Sequence, residues 1–243
     1  MTFWNPWHGC TKISPGCLNC YVYRRDAEFG KDASIVTRTT SFALPLAKTR
    51  QGGFRLTPED GTIYTCFTSD FFHEAADAWR LEAWGMMRKR QDLDFFLVTK
   101  RPERFYASLP LDWGTGYENV HIACTCENQE QTDKRLPVFL RLPVRYKSIV
   151  HEPMLEAVDI ELFLEHWHDD IENVSCGGES GPNARLCDYD WILNTREQCL
   201  KYQVPFTFRQ TGAFFRKGGR CYQIPRRLQG QQARKARIDT QRH

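Results

Sequence analysis

No stretch of this sequence approaches the roughly 20 consecutive apolar residues that a membrane-spanning helix requires, which argues against a membrane partner. The amino-terminal MTFWNPWHGC lacks the basic and apolar regions of a secretion signal, so the expected location is the cytoplasm. An excess of either charge is also missing. The 33 Lys and Arg against 30 Asp and Glu leave a net charge of +3, too little to demand a nucleic-acid partner. There is no internal repeat and no long low-complexity tract, which excludes a solenoid or a chain without a packed core.

What is present suits a globular protein. The 243 residues are 41% hydrophobic and 13% aromatic, enough for a sizeable core. Short apolar runs at 62–68, 94–99, 120–126, 148–151, 173–176 and 205–208 read as strands, each followed by a polar turn. Helical patterns lie among them at 74–90, 129–142, 160–167 and 190–202, the last with Asp188 or Asp190 as a cap. Near-continuous apolar strands alternating with helices call for a parallel sheet covered on both faces. The strand ends carry Ser69-Asp70, Lys100-Arg101, Glu127-Asn128, Glu152-Pro153, Glu179-Ser180 and Arg209-Gln210. Strand–helix repetition gives either an open doubly wound sheet or a (β/α) barrel, complete or partial. Six successive strands ending in polar groups favour the barrel, whose strand ends converge on one mouth. The expected organisation is one α/β domain over residues 1–225 and a basic carboxy-terminal tail over 226–243, RRLQGQQARKARIDTQRH. That tail reads either as a terminal helix or as a disordered, solvated extension.

Ten cysteines in a reducing compartment point to metal rather than disulfides where they cluster. Only Cys10, Cys17 and Cys20 have ligand-like spacing, in HGCTKISPGCLNCY. Pro15 and Gly16 favour a tight turn before Cys17, and the helical pattern of 21–29 puts the trio near a helix amino terminus, where the dipole favours thiolates. Spacing leaves three readings open. A cubane [4Fe–4S] cluster held by three cysteines leaves one iron without a protein ligand. A structural zinc takes a fourth ligand, for which His8 is the candidate. The third reading is a trio of buried core cysteines, the usual fate of Cys66, Cys176, Cys187, Cys199 and Cys221.

The segment WNPWHGCTKISPGCLNCY resembles the opening of a phage-associated protein family known for its three-cysteine motif, itself similar to radical S-adenosylmethionine enzymes. The likeness continues through FTSDFF, LVTKRPERF, CTCENQEQTDKRLP, HEPML, GGESGPNARLCDYDW and PFTFRQTG. It implies a partial (β/α) barrel like that of radical enzymes, with a [4Fe–4S] cluster on Cys10, Cys17 and Cys20 and S-adenosylmethionine at the open iron. The implied activity is reductive cleavage of that cofactor to a 5′-deoxyadenosyl radical, which acts on an unknown substrate. An electron donor such as flavodoxin or ferredoxin is then required, and a partner protein that completes the site is left open. One feature departs from the usual radical motif: six residues separate the first two cysteines, and Asn19 rather than an aromatic precedes Cys20. Tyr21, just after it, is then the candidate to pack on the adenine.

Further candidates come from the strand ends. Gly177, Gly178, Glu179 and Ser180 form a GGES turn that admits close approach of a ligand, with Glu179 suited to an amino group. Asp70 and Glu127 join them as cofactor-binding candidates, while Lys100, Glu152 and Arg209 are the catalytic candidates, since Lys and Arg suit anions and Glu suits hydroxyls or amines. His73 and His151 read as structural. Trp4 and Trp7 either shield a cluster or pack a first strand, and Asn5 is a candidate hydrogen-bond donor to a cluster sulfur. The rival to the enzyme is a zinc-stabilised nucleic-acid-binding protein without catalysis; an enzyme acting on nucleic acid combines the two.

Overall fold

The structure is a computed structural model and describes residues 1–242. Seven strands form one curled sheet, a half-barrel. They are β1 (Thr2–Trp4), β2 (Ile63–Thr65), β3 (Phe95–Thr99), β4 (Val120–Thr125), β5 (Tyr146–His151), β6 (Ile171–Gly177) and β7 (Phe206–Gln210). Every neighbouring pair is parallel, and the order across the sheet follows the order along the chain. Parallel neighbours need crossover connections, and these supply the outer layer. The helices are α1 (Tyr21–Glu28), α2 (Asp77–Lys89), α3 (Gln129–Phe139), α4 (Glu161–Trp167), α5 (Tyr189–Lys201) and α6 (Arg226–Ala236). No helix among the described residues is long and apolar enough to cross a membrane.

Local chemistry sets the helix starts. The Asn128 side chain accepts from Gln131 N to cap α3, and the Asp188 side chain accepts from Asp190 N to cap α5. The connection from β3 to β4 holds only the short turns Pro102–Arg104 and Tyr106–Ser108. Aromatic side chains cover the sheet there instead: Trp84 of α2 packs on Trp113 at 4.8 Å and on Phe71 at 4.6 Å.

The helix-facing side of the sheet is the core. Trp4, Ile63, Phe95, Leu97, Ile122, Ile149, Val174 and Phe206 are all at 1% exposure or less. Each such side chain contributes about 1.5–3 kcal/mol by leaving water. The other face is different, and here the expectation of strands buried on both sides is corrected. In β3, buried Phe95, Leu97 and Thr99 alternate with half-buried Phe96 and Val98, because the concave face of the half-barrel lines an open cavity.

Three more findings go beyond the strand and helix pattern of the sequence. β1 is only three residues long, too short for its periodicity to register. Phe214–Lys217 and Arg220–Gln223 form a hairpin, whose first strand also pairs with Leu186–Asp188. The basic segment from 226 onward folds: α6 buries Gln229 and Ala233 and packs against β7, and Thr240 bridges Phe206.

Candidate functional site

A cavity of about 570 Å³ lies along the concave face of the sheet and reaches the carboxyl ends of the parallel strands. Cys10, Cys17 and Cys20 all lie on its wall, and all three are half-buried free thiols. Pro15–Cys17 is one turn of 3₁₀ helix, and Cys20 sits at the N-cap of α1, where four backbone N–H groups lack helical partners. Burial pushes the Cys10 thiol up to about 11, against the pull of the nearby Arg101 guanidinium.

Contacts from distant parts of the chain shape this loop. The buried carboxylate of Glu127 accepts from Gly16 N at 2.9 Å and from Arg135 Nη1 at 2.6 Å. Burial alone would raise the Glu127 carboxyl, but Arg135, Lys100 and these hydrogen bonds hold it below the usual range. A Cβ at position 16 would stand 2.8 Å from Glu127 Cδ, so glycine is what lets the turn close on the carboxylate. Arg101 Nη1 lies 3.5 Å from Cys10 Sγ and 3.3 Å from Asp70 Oδ2, while its Nη2 donates to Thr11 O at 3.0 Å. Tyr23 Oη donates to Cys10 O at 2.5 Å.

The remaining candidates divide into two groups. Tyr21, Asp70, Lys100, Glu152, Gly178, Glu179, Ser180 and Arg209 line the cavity with the three cysteines; Glu127 and Gly177 do not. Glu127 instead lies beneath the cysteine turn as its anchor. Asp70 is largely engaged by the protein, accepting from Thr99 Oγ1 at 2.8 Å, Lys100 N at 2.9 Å and Phe72 N at 3.0 Å. Glu179 is held by Arg185 at 2.6 Å and by Asn19 Nδ2 at 2.9 Å, which together outweigh burial and lower its pKa. Asn19 thereby ties the cysteine loop to the GGES turn. At Gly178 a Cβ would lie 2.3 Å from Thr211 O, so the glycine serves a backbone crossing rather than a ligand's approach.

Glu152 is the carboxylate left most available. Burial raises its pKa, and Arg209, Ser175 and Lys100 oppose that rise only in part. Ser175 Oγ donates to it at 3.1 Å, and Arg209 Nε stands 4.0 Å away. Tyr21 presents its ring to the cavity while its hydroxyl donates to Phe67 O.

Other residues prove structural. His8 Nε2 pairs with Asp26 at 2.6 Å, which occupies the proposed fourth zinc ligand. His73 receives Ala75 N at 3.1 Å and meets Thr11 Oγ1 at 3.0 Å, and burial lowers its pKa. His151 donates to Cys126 O at 2.5 Å, fully buried on the helix side. Trp4 and Trp7 are completely buried, their indole N–H groups donating to Phe42 O and Asp70 O. The Asn5 side-chain oxygen accepts from Thr68 N at 3.1 Å, so it braces the β2 loop.

Among the described residues no three His, Cys, Asp or Glu side chains are arranged to hold one metal ion. Zinc–sulfur bonds of about 2.3 Å would require the sulfurs of a zinc site to crowd to about 3.8 Å. Three thiols on one cavity wall are soft donors of the kind that zinc or an iron–sulfur cluster takes. Sequence reasoning missed Arg135, and the partners of Asn19, Arg101 and Glu127, 160, 91 and 111 residues away, left no local signal.

The chain belongs to the family described as Protein of unknown function (DUF5131), whose model matches residues 1–241. No curated protein and no solved structure matches it. The family match assigns no activity and does not bear on the likeness to radical enzymes or to phage proteins.

Proposed function

We propose that this member of the family is an iron–sulfur protein of the radical S-adenosylmethionine type. Cys10, Cys17 and Cys20 would hold a [4Fe–4S] cluster whose fourth iron is left to the cofactor. The observation that carries the reading is that these three thiols share the wall of one cavity on the concave side of a parallel half-barrel. When bound, the cluster and cofactor supply one-electron cleavage of a sulfonium bond, yielding methionine and a 5′-deoxyadenosyl radical that takes a hydrogen atom from the substrate. The electron would come from a donor such as flavodoxin or ferredoxin.

The chain's own residues have distinct work in this scheme. Glu127 and Arg135 fix the turn that carries Cys17, and Arg101 directs positive charge at Cys10. Tyr21 offers a ring for the adenine beside Cys20. Lys100 and Arg209 present cations suited to the methionyl carboxylate or to an anionic substrate group. Glu152, whose carboxyl is pushed up by burial, is the group on this wall suited to exchange a proton with a hydroxyl or amine. The engagement of His8 by Asp26 weighs against the zinc form.

Anaerobic purification and reconstitution test the proposal. The expected result is a brown protein with about four iron and four sulfide per chain, the content of one cubane, and 5′-deoxyadenosine after chemical reduction. Cys17→Ala should lose the chromophore. Retention of zinc with no chromophore in the wild-type chain would sink the reading.

A further inference from the structure

Below the cysteines, the concave face of the sheet carries a pattern that the proposed cofactors do not use. The registers Phe3↔Tyr64, Tyr64↔Phe96, Phe96↔His121 and His121↔Tyr146 align five rings across five adjacent strands. Registered residues share a face, so the rings form one row along the floor of the half-barrel. Phe3 and Tyr64 are 5.7 Å apart, Tyr64 and Phe96 5.8 Å, and His121 stacks on Tyr146 at 4.4 Å. Phe67 adds a sixth ring, 5.2 Å from Tyr64. None of the row is buried, and Phe3 is 46% exposed, whereas the residues on the opposite face are sealed. Apolar rings left open on a concave wall call for an occupant.

The next row toward the mouth is small: Val98, Ala123 and Ser148 stand in register, which hollows the space above the rings. Thr125, 1% exposed, lines the cavity, and its hydroxyl has no partner among the described residues. A buried hydroxyl without a partner is costly unless a ligand supplies one. Glu152 offers a carboxylate acceptor on the same wall, while Glu172 pairs with His121 of the ring row at 2.9 Å. The rim carries cations among the acids Asp70, Glu152 and Glu179. Lys100 and Arg209 lie on it, and Arg226 of α6 donates to the cavity residue Gln210 at 2.8 Å. α6 packs along the edge strand β7 and also carries Arg227, Arg234 and Lys235, the last on the wall of a second cavity.

We propose that this cavity receives a nucleotide, its base stacked on the Tyr64–Phe96 part of the row and its phosphate drawn by Arg209 and α6. A planar base with an exocyclic amine matches rings beside the Glu152 acceptor, and an anion matches Lys100 and Arg209. The inference deepens the enzyme reading by naming its substrate class; only the chemistry, not the binding, rests on that reading. A nucleotide within a single strand is favoured over a free one, because α6 carries four basic residues beside the cavity edge, more than one phosphate would need.

The test is fluorescence anisotropy of the full chain with a labelled 12-nucleotide single-stranded DNA and its RNA counterpart, without added cofactor. Binding should weaken steeply with salt. Tyr64→Ala and Phe96→Ala should each weaken it by about tenfold, while Tyr64→Phe, which keeps the ring and the fold, should bind as wild type. Arg234→Glu should flatten the salt dependence. Competition by nucleoside monophosphates at comparable affinity assigns the site to free nucleotides; competition by strands alone assigns it to polynucleotide. No binding of either probe overturns the proposal. So does binding that ignores Tyr64→Ala and Phe96→Ala, or that an acidic peptide displaces equally well. Failure to find iron or 5′-deoxyadenosine would leave these binding results intact, so the two readings fail separately.

Discussion

The two faces of the half-barrel sheet come from the same strands yet have opposite fates. Toward the helices, Phe95 and Leu97 are completely buried. One residue along, Phe96 and Val98 stand half-open on the cavity wall. Both sets are apolar, so hydrophobicity does not distinguish them. Only the closed layer of helices on one side, and its absence on the other, does. The first face holds the fold together, and the second is free to serve a ligand.

The comparison breaks most visibly in stability. Phe95→Ala should cost about 4 kcal/mol in urea denaturation, through lost burial and an unfilled cavity. A cost near zero would mean that the helix-facing layer is not the core. At the sheet's rim, Arg135→Ala should cost about 3 kcal/mol by stranding the fully buried Glu127 carboxylate. The same variant should take up less iron on reconstitution, because Glu127 anchors the turn that carries Cys17.

A pH titration sharpens the contrast further. Burial depresses His151 on the helix side from 6.5 to about 4. Between those values the unfolded chain binds a proton that the folded chain refuses, so this contribution is intact above pH 6.5 and is lost as pH falls toward 4. At pH 5 the expected loss is about 2 kcal/mol relative to pH 8. His151→Gln should remove that slope from the stability profile. The smallest effect belongs to the cavity wall: Phe96→Ala should shift stability by less than about 1 kcal/mol, since its ring is only half-removed from water. A loss as large as that of Phe95→Ala would show the wall to be core after all.

Much of the fold was legible in the chain. The six apolar runs correspond to β2 through β7 with ends shifted by a few residues, and the helix patterns beginning at 21, 74, 129, 160 and 190 correspond to α1 through α5. β1 was too short to announce itself, and Trp4 and Trp7 read equally well as a cluster shield or as the packing they turned out to provide. The terminal segment hid its helix for a different reason. α6 buries one face with only Gln229 and Ala233, a pattern too polar to separate from a solvated tail. At the site, the strand-end residues Asp70, Lys100, Glu152, Glu179 and Arg209 do meet around one cavity, as six polar strand ends suggested. Their engagements were not legible: nothing near Glu127 in sequence points to Gly16, 111 residues away.

The sequence by itself determined the alternation of strands and helices, the parallel sheet this demands, and the spacing of Cys10, Cys17 and Cys20, because periodicity, turn chemistry and spacing are local properties. The tertiary structure alone decided which face of each strand is sealed, which acids are neutralised by arginines, and that five rings from five strands lie in one row. Those are matters of register and packing between segments far apart in the chain, where no residue carries the address of its partner.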